Sequence, residues 1–328
     1  MAGLEVYHTQ HTEEDSKYYF KIAKNIDLLI TGGSDLHGDK KPEVELGSVS
    51  VNNKHVELLK RNKGFSKIAK KSSLFSHINR NKKMKAVILA AGYGTRLYPL
   101  TKNKPKPLVE IADKAILEYI LDKIKKVSII DQIFIVSNDK FYQHYLEWQK
   151  ELNYIKKITI INDGTSSNQD RLGAIADLNY VIEQENIKDD LLVMAGDNLF
   201  DFELTDFVSF QQEVQADCIT THQLDDKKRL KTTGVIEIDQ DNKVISFTEK
   251  PEQPKSNLAV PPFYIYQQKT LPLIKEYLQQ NNDPDAPGNL IPWLLKKKDI
   301  YAFKFMGLRY DIGTVEKYKE VQKIYQDK

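Results

Sequence analysis

A glycine-rich segment carries the side chains whose chemistry is most specific. Gly92 and Gly94 precede Arg96, and Lys106 follows in the same polar stretch. Glycine lets a backbone approach an anion closely, so that successive N–H groups can face phosphate oxygens. Arginine adds a fixed fork of donors, and lysine adds a mobile point charge. The segment therefore predicts a phosphate-binding loop.

Two familiar phosphate-loop patterns do not fit this segment. Leu97 stands where the dinucleotide-binding fingerprint has its third glycine. No Gly-Lys-Ser or Gly-Lys-Thr follows, as a P-loop requires. The loop must therefore belong to another class of nucleotide or phosphate site.

Two aspartates stand where predicted elements end. Asp197 closes the apolar run DLLVMAGD, and Asp311 precedes a helix predicted to begin at Val315. Mg²⁺ is commonly held by one or two carboxylates together with substrate phosphates. An aspartate at such a position is also a common helix cap or turn residue. From the residues alone, both interpretations stay open.

The elements that position these residues alternate along the chain. We predict strands at 84–92, 132–138, 157–162 and 190–197, with helices at 115–126, 140–152 and 173–185 between them. Further strands are predicted at 216–223, 234–239, 243–250, 261–267 and 300–305, with helices at 271–280, 289–297 and from 315 onward. Strand–helix alternation predicts an α/β fold with a mostly parallel, mixed sheet and helices on both faces. Ligands bind such sheets at the carboxyl ends of the strands.

Composition excludes several classes of protein. The chain has 328 residues, of which 41% are hydrophobic, so it can bury a core and is not disordered. The single cysteine, Cys218, excludes an internal disulfide or a thiolate zinc cluster. There is no apolar run long enough for a membrane span, and the polar N-terminus is unlike a secretory signal. We therefore expect a soluble, cytoplasmic protein that binds no membrane and, with a net charge of +2, no nucleic acid.

Residues 84–328 resemble the sugar-1-phosphate nucleotidylyltransferases, the family of glucose-1-phosphate thymidylyl- and uridylyltransferases. The stretch GYGTRLYPLTKNKPKPL, residues 92–108, matches the family's glycine-rich motif. The resemblance implies a Rossmann-like nucleotidyltransferase fold and transfer of a nucleotidyl group from an NTP to a sugar-1-phosphate, with release of pyrophosphate. It implies catalytic roles for Arg96, Lys106, Asp197 and Asp311, with Mg²⁺ held by the two aspartates. A homo-oligomer is also compatible with it.

The resemblance also implies which residues bind the nucleotide and which bind the sugar phosphate. Nucleotide contacts fall on Ala91, Gly92, Gly94, Thr95, Arg96, Asn168 and Gly173. Sugar-phosphate contacts fall on Gly234, Glu249, Lys250 and Val260. Pro261-Pro262-Phe263 replaces the small residues that many members have after Ala-Val, which leaves the sugar open.

The base is open as well. The family glutamine that reads uracil or thymine is not clearly present, and Asn168 lies closest to its offset. A pyrimidine NTP is expected, and the Thr165-to-Asn168 pattern also resembles cytidylyltransferases of the same superfamily. The alternative function is therefore a cytidylyltransferase acting on an alcohol phosphate such as phosphocholine or an alditol phosphate. A third is a non-catalytic, sugar-nucleotide-binding subunit.

The first eighty residues pose a separate question. Residues 1–60 resemble the C-terminal end of a PHP-domain metallophosphoesterase, which places His11, Asp35 and His37 on metal-ligand positions. The family's N-terminal His-x-His motif is absent, so we interpret the segment as a small, truncated α/β remnant that could retain partial metal binding. Residues 61–83 are interpreted as a basic, solvated linker to the nucleotidyltransferase domain at 84–328, since the stretch lacks the aromatic residues of a single-strand binding surface.

Overall fold

A computed structural model of the chain contains two compact units, residues 1–81 and 82–328. The structure describes residues 83–326. Before them it describes the strands at 3–8 and 29–33 and residues 12, 16 and 19. The predicted domain boundary at residue 60 stays a prediction.

The first unit contains a parallel strand pair. β1 (Gly3–His8) pairs with β2 (Leu29–Gly33), with Gly3 opposite Leu29 and His8 opposite Gly33. The metal-ligand candidates His11, Asp35 and His37 lie outside the described residues, and so does the predicted linker at 61–83 except for its last residue.

The second unit contains fourteen strands in its described part, ten of which form one sheet. In chain order they are β3 (Met84–Leu89), β4 (Glu110–Ile111), β5 (Lys114–Ala115), β6 (Ile130–Ser137), β7 (Lys157–Asn162), β8 (Asp190–Ala195), β9 (Asn198–Phe200), β10 (Asp217–Gln223), β11 (Gly234–Ile238), β12 (Val244–Thr248), β13 (Leu258–Val260), β14 (Phe263–Tyr266), β15 (Ile300–Lys304) and β16 (Arg309–Asp311).

The helices are α1 (Ile116–Lys125), α2 (Asp139–Glu151), α3 (Ala174–Gln184), α4 (Leu204–Val214), α5 (Lys227–Leu230), α6 (Leu271–Gln279), α7 (Leu290–Leu295) and α8 (Val315–Gln326). None of them, within the described part of the chain, combines the length and apolar character that a bilayer crossing requires.

The large sheet has two halves, which differ in whether neighbouring strands run parallel or antiparallel. Along one half the order is β7, β6, β3, β8, and neighbouring strands run parallel. β14 and β10 continue from β8 with antiparallel pairing, followed by β13, β11 and β12, while β15 lies parallel beside β10. The expected mixed, mostly parallel sheet is confirmed.

Successive side chains of the central strands point to opposite faces of the sheet, so the core has one layer on each face. In β3, Met84, Ala86 and Ile88 face one layer, and Val87 faces the other. The first layer packs on α1, α2, α4 and α8, and the second packs on α3, α6 and α7. Helices therefore cover both faces, as the alternating sequence pattern predicts. Cys218 lies buried within the first layer.

The predicted strands and helices of this unit are all present, within a few residues of their expected ends. The short strands β4, β5, β9, β13 and β16 were not predicted. β16 pairs antiparallel with β9 in a separate ribbon that places Asp311 opposite Asn198. This ribbon joins two segments that lie far apart in the sequence.

The side chain of Asn138 links the N-terminal end of α2 to the loop that follows β3. Its side chain is fully buried, and its Oδ1 accepts a hydrogen bond from the N–H of Phe141, which caps α2. Its Nδ2 donates to the carbonyl oxygen of Ala91 at 2.7 Å. One amide thus satisfies a helix donor and anchors the first residue of the glycine-rich loop.

We predict that Asn138→Ala lowers the free energy of unfolding by about 2 to 4 kcal/mol, because a cap is lost and a buried carbonyl loses its donor. Urea titration followed by tryptophan fluorescence measures this unit, since both tryptophans, Trp148 and Trp293, lie within it. The exposed Asn153 is the matched control, and Asn153→Ala should change stability by less than about 0.5 kcal/mol. Equal effects of the two substitutions would contradict the anchoring role.

Candidate functional site

A deep cleft lies at the carboxyl ends of the central strands. It has two adjoining compartments, of about 600 and about 620 Å³. Arg96, Asp197, Arg309 and Asp311 line both of them. These four charged residues therefore stand at the junction of the compartments.

The predicted site residues that the structure describes all line this cleft. Ala91, Gly92, Gly94, Thr95, Arg96, Lys106, Asn168, Gly173, Asp197 and Asp311 line the first compartment. Gly234, Glu249, Lys250 and Val260 line the second. The fold thus brings together residues that are separated by up to about 220 positions in the sequence.

The glycine-rich loop is held in shape by its own neighbours. Gly94 has φ +61°, and the hydroxyl of Thr101 donates to its carbonyl oxygen at 2.7 Å. The positive φ favours glycine at this position, and a Cβ would also fit tightly, 3.3 Å from the Cβ of Thr101. At Gly92, by contrast, no atom lies within 4 Å of where a Cβ would be. The backbone there faces open cleft, which leaves room for a ligand.

Arg96 is exposed in this loop, just after Gly94. Its guanidinium has no hydrogen-bond or ion-pair partner among the residues that the structure describes. A fork of donors at the junction of two compartments is suited to an anionic ligand.

Two carboxylates converge on one ammonium group at the junction. Lys106 Nζ donates to Asp197 Oδ2 at 2.5 Å and lies 3.7 Å from Asp311 Oδ1. Lys106 is buried, Asp197 follows β8, and Asp311 ends β16. One ammonium group therefore lies within ion-pair distance of both aspartates.

Arg309 and Asn198 complete this cluster, and sequence reasoning missed both. Arg309 Nε donates to Asn198 Oδ1 at 2.7 Å, and Asn198 Nδ2 donates to Asp197 Oδ1 at 2.6 Å. Arg309 NH2 lies 3.5 Å from Asp311 Oδ2. A basic residue two positions before an aspartate in a strand shares its face, and that spacing was the available signal.

Burial and the neighbouring charges shift the pKa values of the cluster in opposite directions. Burial alone would raise the pKa of Asp197, but the Lys106 ammonium, then the Arg309 guanidinium and the Asn198 amide, hold it below its usual value. Burial lowers the pKa of Arg309, and Asp311 and Asp197 counteract this in part. Asp197 is thus an anion stabilised by fixed donors.

The first compartment extends to the far edge of the sheet, where α3 begins. Gly173 has φ +94° and packs so tightly that a Cβ would stand 2.7 Å from the carbonyl oxygen of Pro284. Arg171 forms an ion pair with Asp285 at 3.0 Å beside it. Asp163 and Asp177, neither of them predicted as site residues, also line this end.

The second compartment is built around Glu249. A Cβ at Gly288 would stand 2.2 Å from Glu249 Oε2, and a Cβ at Gly234 would stand 2.5 Å from the Phe247 ring, so glycine at both positions leaves room for these side chains. Burial raises the pKa of Glu249, and the ammonium of Lys250 counteracts it in part. A half-buried carboxylate with a neighbouring lysine can accept hydrogen bonds from hydroxyl groups beside an anion.

The arrangement as a whole is suited to bringing two anionic ligands together. The described residues contain no cluster of three or more histidine, cysteine, aspartate or glutamate ligands. A metal ion at Asp197 and Asp311 would therefore need its other ligands from a bound substrate or water.

The sequence is similar to several characterised proteins. The bifunctional protein GlmU of Methanocaldococcus jannaschii is 29% identical over 75% of this chain and 55% of its own length. UTP–glucose-1-phosphate uridylyltransferase AglF of Haloferax volcanii is 29% identical over 74% of this chain and 97% of its own. The chain spans about half the length of the GlmU relatives.

The fold is also found among solved structures. A UDP-glucose pyrophosphorylase complexed with UDP-glucose superimposes with a TM-score of 0.64 at 24% identity, covering 75% of this chain and 99% of that one.

A family model decides the relationship. The model described as nucleotidyl transferase matches residues 85–328, which confirms the resemblance seen in the glycine-rich motif. It begins after the N-terminal unit, and the proposed likeness of residues 1–60 to a PHP-domain protein gains no support from it. Across the unit that contains the cleft, this chain belongs to the nucleotidyl transferase family.

Proposed function

We propose that the chain transfers a nucleotidyl group from a nucleoside triphosphate to a sugar-1-phosphate, with release of pyrophosphate. The observation that carries the proposal is the cluster of Lys106, Asp197, Asp311 and Arg309 between two compartments, each of a size that fits one substrate. The names of relatives such as the uridylyltransferase AglF support the same reaction class.

The reaction needs no general base. The attacking atom is a phosphate oxygen, which is already anionic at neutral pH, so no side chain has to remove a proton. No histidine or cysteine lines either compartment within the described residues, in keeping with this chemistry. The difficulty is the repulsion between two anions, and catalysis consists of positioning and charge stabilisation.

The residues of this chain divide that task. The amides of the glycine-rich loop and the guanidinium of Arg96 bind the triphosphate, including the pyrophosphate that leaves. Lys106, which is fixed between two carboxylates, is assigned to stabilise charge at the α-phosphate. Gly234, Glu249 and Lys250 hold the sugar and its phosphate in the second compartment.

We also propose that Asp197 and Asp311 hold Mg²⁺. The donor set fits: both carboxylates approach the same cation, Lys106, and Mg²⁺ commonly takes one or two carboxylates plus phosphate oxygens and water. When bound there, the ion would neutralise phosphate charge and align the α-phosphate. The half-exposed Asp311 leaves the site open to solvent for entry.

The direct test measures pyrophosphate release by the full chain with Mg²⁺, for dTTP, UTP, CTP, ATP and GTP against several sugar-1-phosphates and phosphocholine. Release with a hexose-1-phosphate supports the proposal. Release with phosphocholine alone would replace it by the alcohol-phosphate cytidylyltransferase. A folded protein that binds nucleotide yet releases nothing would favour the non-catalytic alternative.

We predict that Lys106→Ala lowers kcat roughly 10²- to 10³-fold, the magnitude typical of losing one preorganised charge at a reacting centre. Lys104→Ala is the matched control, because Lys104 lies in the same segment and its ammonium bonds Glu110 on the surface instead. The control should keep normal turnover. Unfolding midpoints of both variants show whether the fold is retained, and near-normal kcat in folded Lys106→Ala would refute the assigned role.

We predict that Asp311→Asn raises the Mg²⁺ concentration for half-maximal activity by roughly tenfold or more, and that Asp197→Asn lowers turnover by orders of magnitude, because each removes a carboxylate ligand. Mg²⁺ titration of pyrophosphate release measures both. The control is Asp299→Asn, since Asp299 pairs with Lys243 at the opposite end of β15 from the cleft. An unchanged Mg²⁺ requirement in Asp311→Asn would remove that residue from the metal site.

A further inference from the structure

Two buried carboxyl groups at one end of the cleft have no part in the proposed chemistry. Asp163 follows β7 and Asp177 lies in the first turn of α3. They are 9% and 7% exposed, and both line the first compartment. A buried acid that touches a ligand cleft usually has a partner or a task.

The hydrogen bonds of the pair leave acceptors unused. Asp163 Oδ1 accepts from the N–H of Thr165 at 2.7 Å and from its hydroxyl at 2.8 Å. Asp177 Oδ1 is buried and has no donor within the described part of the chain. The side chains of Asp163 and Asp177 are themselves within hydrogen-bond reach of each other.

Two like charges so close together cannot both ionise easily. Burial, then the charge of Asp163, raises the pKa of Asp177 to about 8, and burial also raises the pKa of Asp163. The pair therefore retains one proton near neutral pH. Arg171, a cation that lines this end of the cleft, is already paired with Asp285.

The other titratable groups around the pair do not supply a cation either. Tyr93 shares a hydrogen bond with Thr165, and its phenol pKa is raised, first by burial. Asp170 and Asp139 add negative charge, while the carboxyl of Asp170 already accepts from Ser166 and Ser167. This end of the cleft is thus rich in acceptors.

Strand order places the pair away from the reacting centre. Asp163 follows β7 and Asp197 follows β8, and β6 and β3 lie between them in the sheet. Three strand spacings of about 4.8 Å separate them by roughly 14 Å. The phosphate-binding loop follows β3, between the two sites. One compartment is lined by both that loop and the acid pair, so a nucleotide whose phosphates lie on the loop can reach the pair with its base.

Bases differ in the donors that they offer to such a surface. Uracil and thymine present one N–H between two carbonyl oxygens, whereas cytosine, adenine and guanine carry an exocyclic amino group. Asp163 Oδ1 takes both bonds from Thr165, and the retained proton is shared between the two carboxyls, so the pair faces the compartment as an acceptor. Carbonyl oxygens would meet acceptors there, and an amino group would satisfy them.

We propose that Asp163 and Asp177 bind the exocyclic amino group of the nucleobase, so that the cleft selects CTP, ATP or GTP over UTP and dTTP. The inference rests on the proposed function for its ligand, a nucleoside triphosphate. It adds a base-reading pair that replaces the missing uracil-reading glutamine. Asp177, which lines the compartment from α3, is the residue whose substitution tests the pair.

The test is calorimetric titration of the full chain with each of the five NTPs, alongside pyrophosphate release. We expect at least one amino-substituted NTP to bind roughly tenfold or more tightly than UTP and dTTP, and Asp177→Ala to remove most of that preference. Asp177→Asn should instead raise the relative affinity for UTP and dTTP, because an amide N–H can donate to a carbonyl oxygen.

The matched control is Glu185→Gln, which removes the same charge at the exposed C-terminal end of α3 and should leave the preference unchanged. Thermal unfolding of each variant checks the fold. Asp177→Ala removes one of two buried carboxyls that repel each other when ionised, so loss of folding is not expected.

The outcomes separate the two proposals. A binding preference for amino-substituted bases without pyrophosphate release would overturn the proposed function and support the base-reading pair. Efficient turnover with UTP or dTTP as the preferred substrate would support the function and overturn the pair. An unchanged preference in Asp177→Ala would also overturn it, and absence of binding by any nucleotide would overturn both.

Discussion

The ion pair between the Lys106 ammonium and the Asp197 carboxylate is the constraint on which the rest of the cleft depends. A buried lysine is costly unless a charged partner compensates for its lost hydration, and here the partner lies at 2.5 Å. The pair fixes the end of the glycine-rich segment against the end of β8. Arg309 and Asp311 repeat the arrangement from β16, so two cations balance two anions at the centre. Arg96, without a partner among the described residues, remains available to an incoming phosphate.

Local sequence patterns were sufficient for much of this structure. The apolar run of β3 and the glycine spacing after it predicted a strand and a phosphate loop, because both signals depend on adjacent residues. The strand–helix alternation predicted that helices cover both faces of the sheet. The resemblance to the family's motifs predicted that Lys106, Asp197 and Asp311 share one site. The structure brings these residues together, while their catalytic roles stay predictions.

The rest depends on contacts between distant segments. Arg309 and Asn198 meet only because β16 pairs with β9, and short strands of three residues carry too little periodicity to be recognised. Asp163 and Asp177 were missed for the same reason. One follows a strand and the other lies inside a helix, and only the packing of α3 against the sheet brings their carboxyls together. The local signal for this pair was Asp177, an acidic residue among the apolar residues of the first turn of α3.

The β9–β16 ribbon has a consequence for how the protein is made. Synthesis proceeds from the N-terminus, so β3, β6, β7 and β8 can pair before β16 has emerged from the ribosome. At that stage the chain contains Lys106 and Asp197 but not yet Arg309 and Asp311. The central charge cluster is thus completed only when β16 pairs with β9. A polypeptide that stops before β16 would lack both Arg309 and the second carboxylate, so a complete cleft requires translation through Asp311.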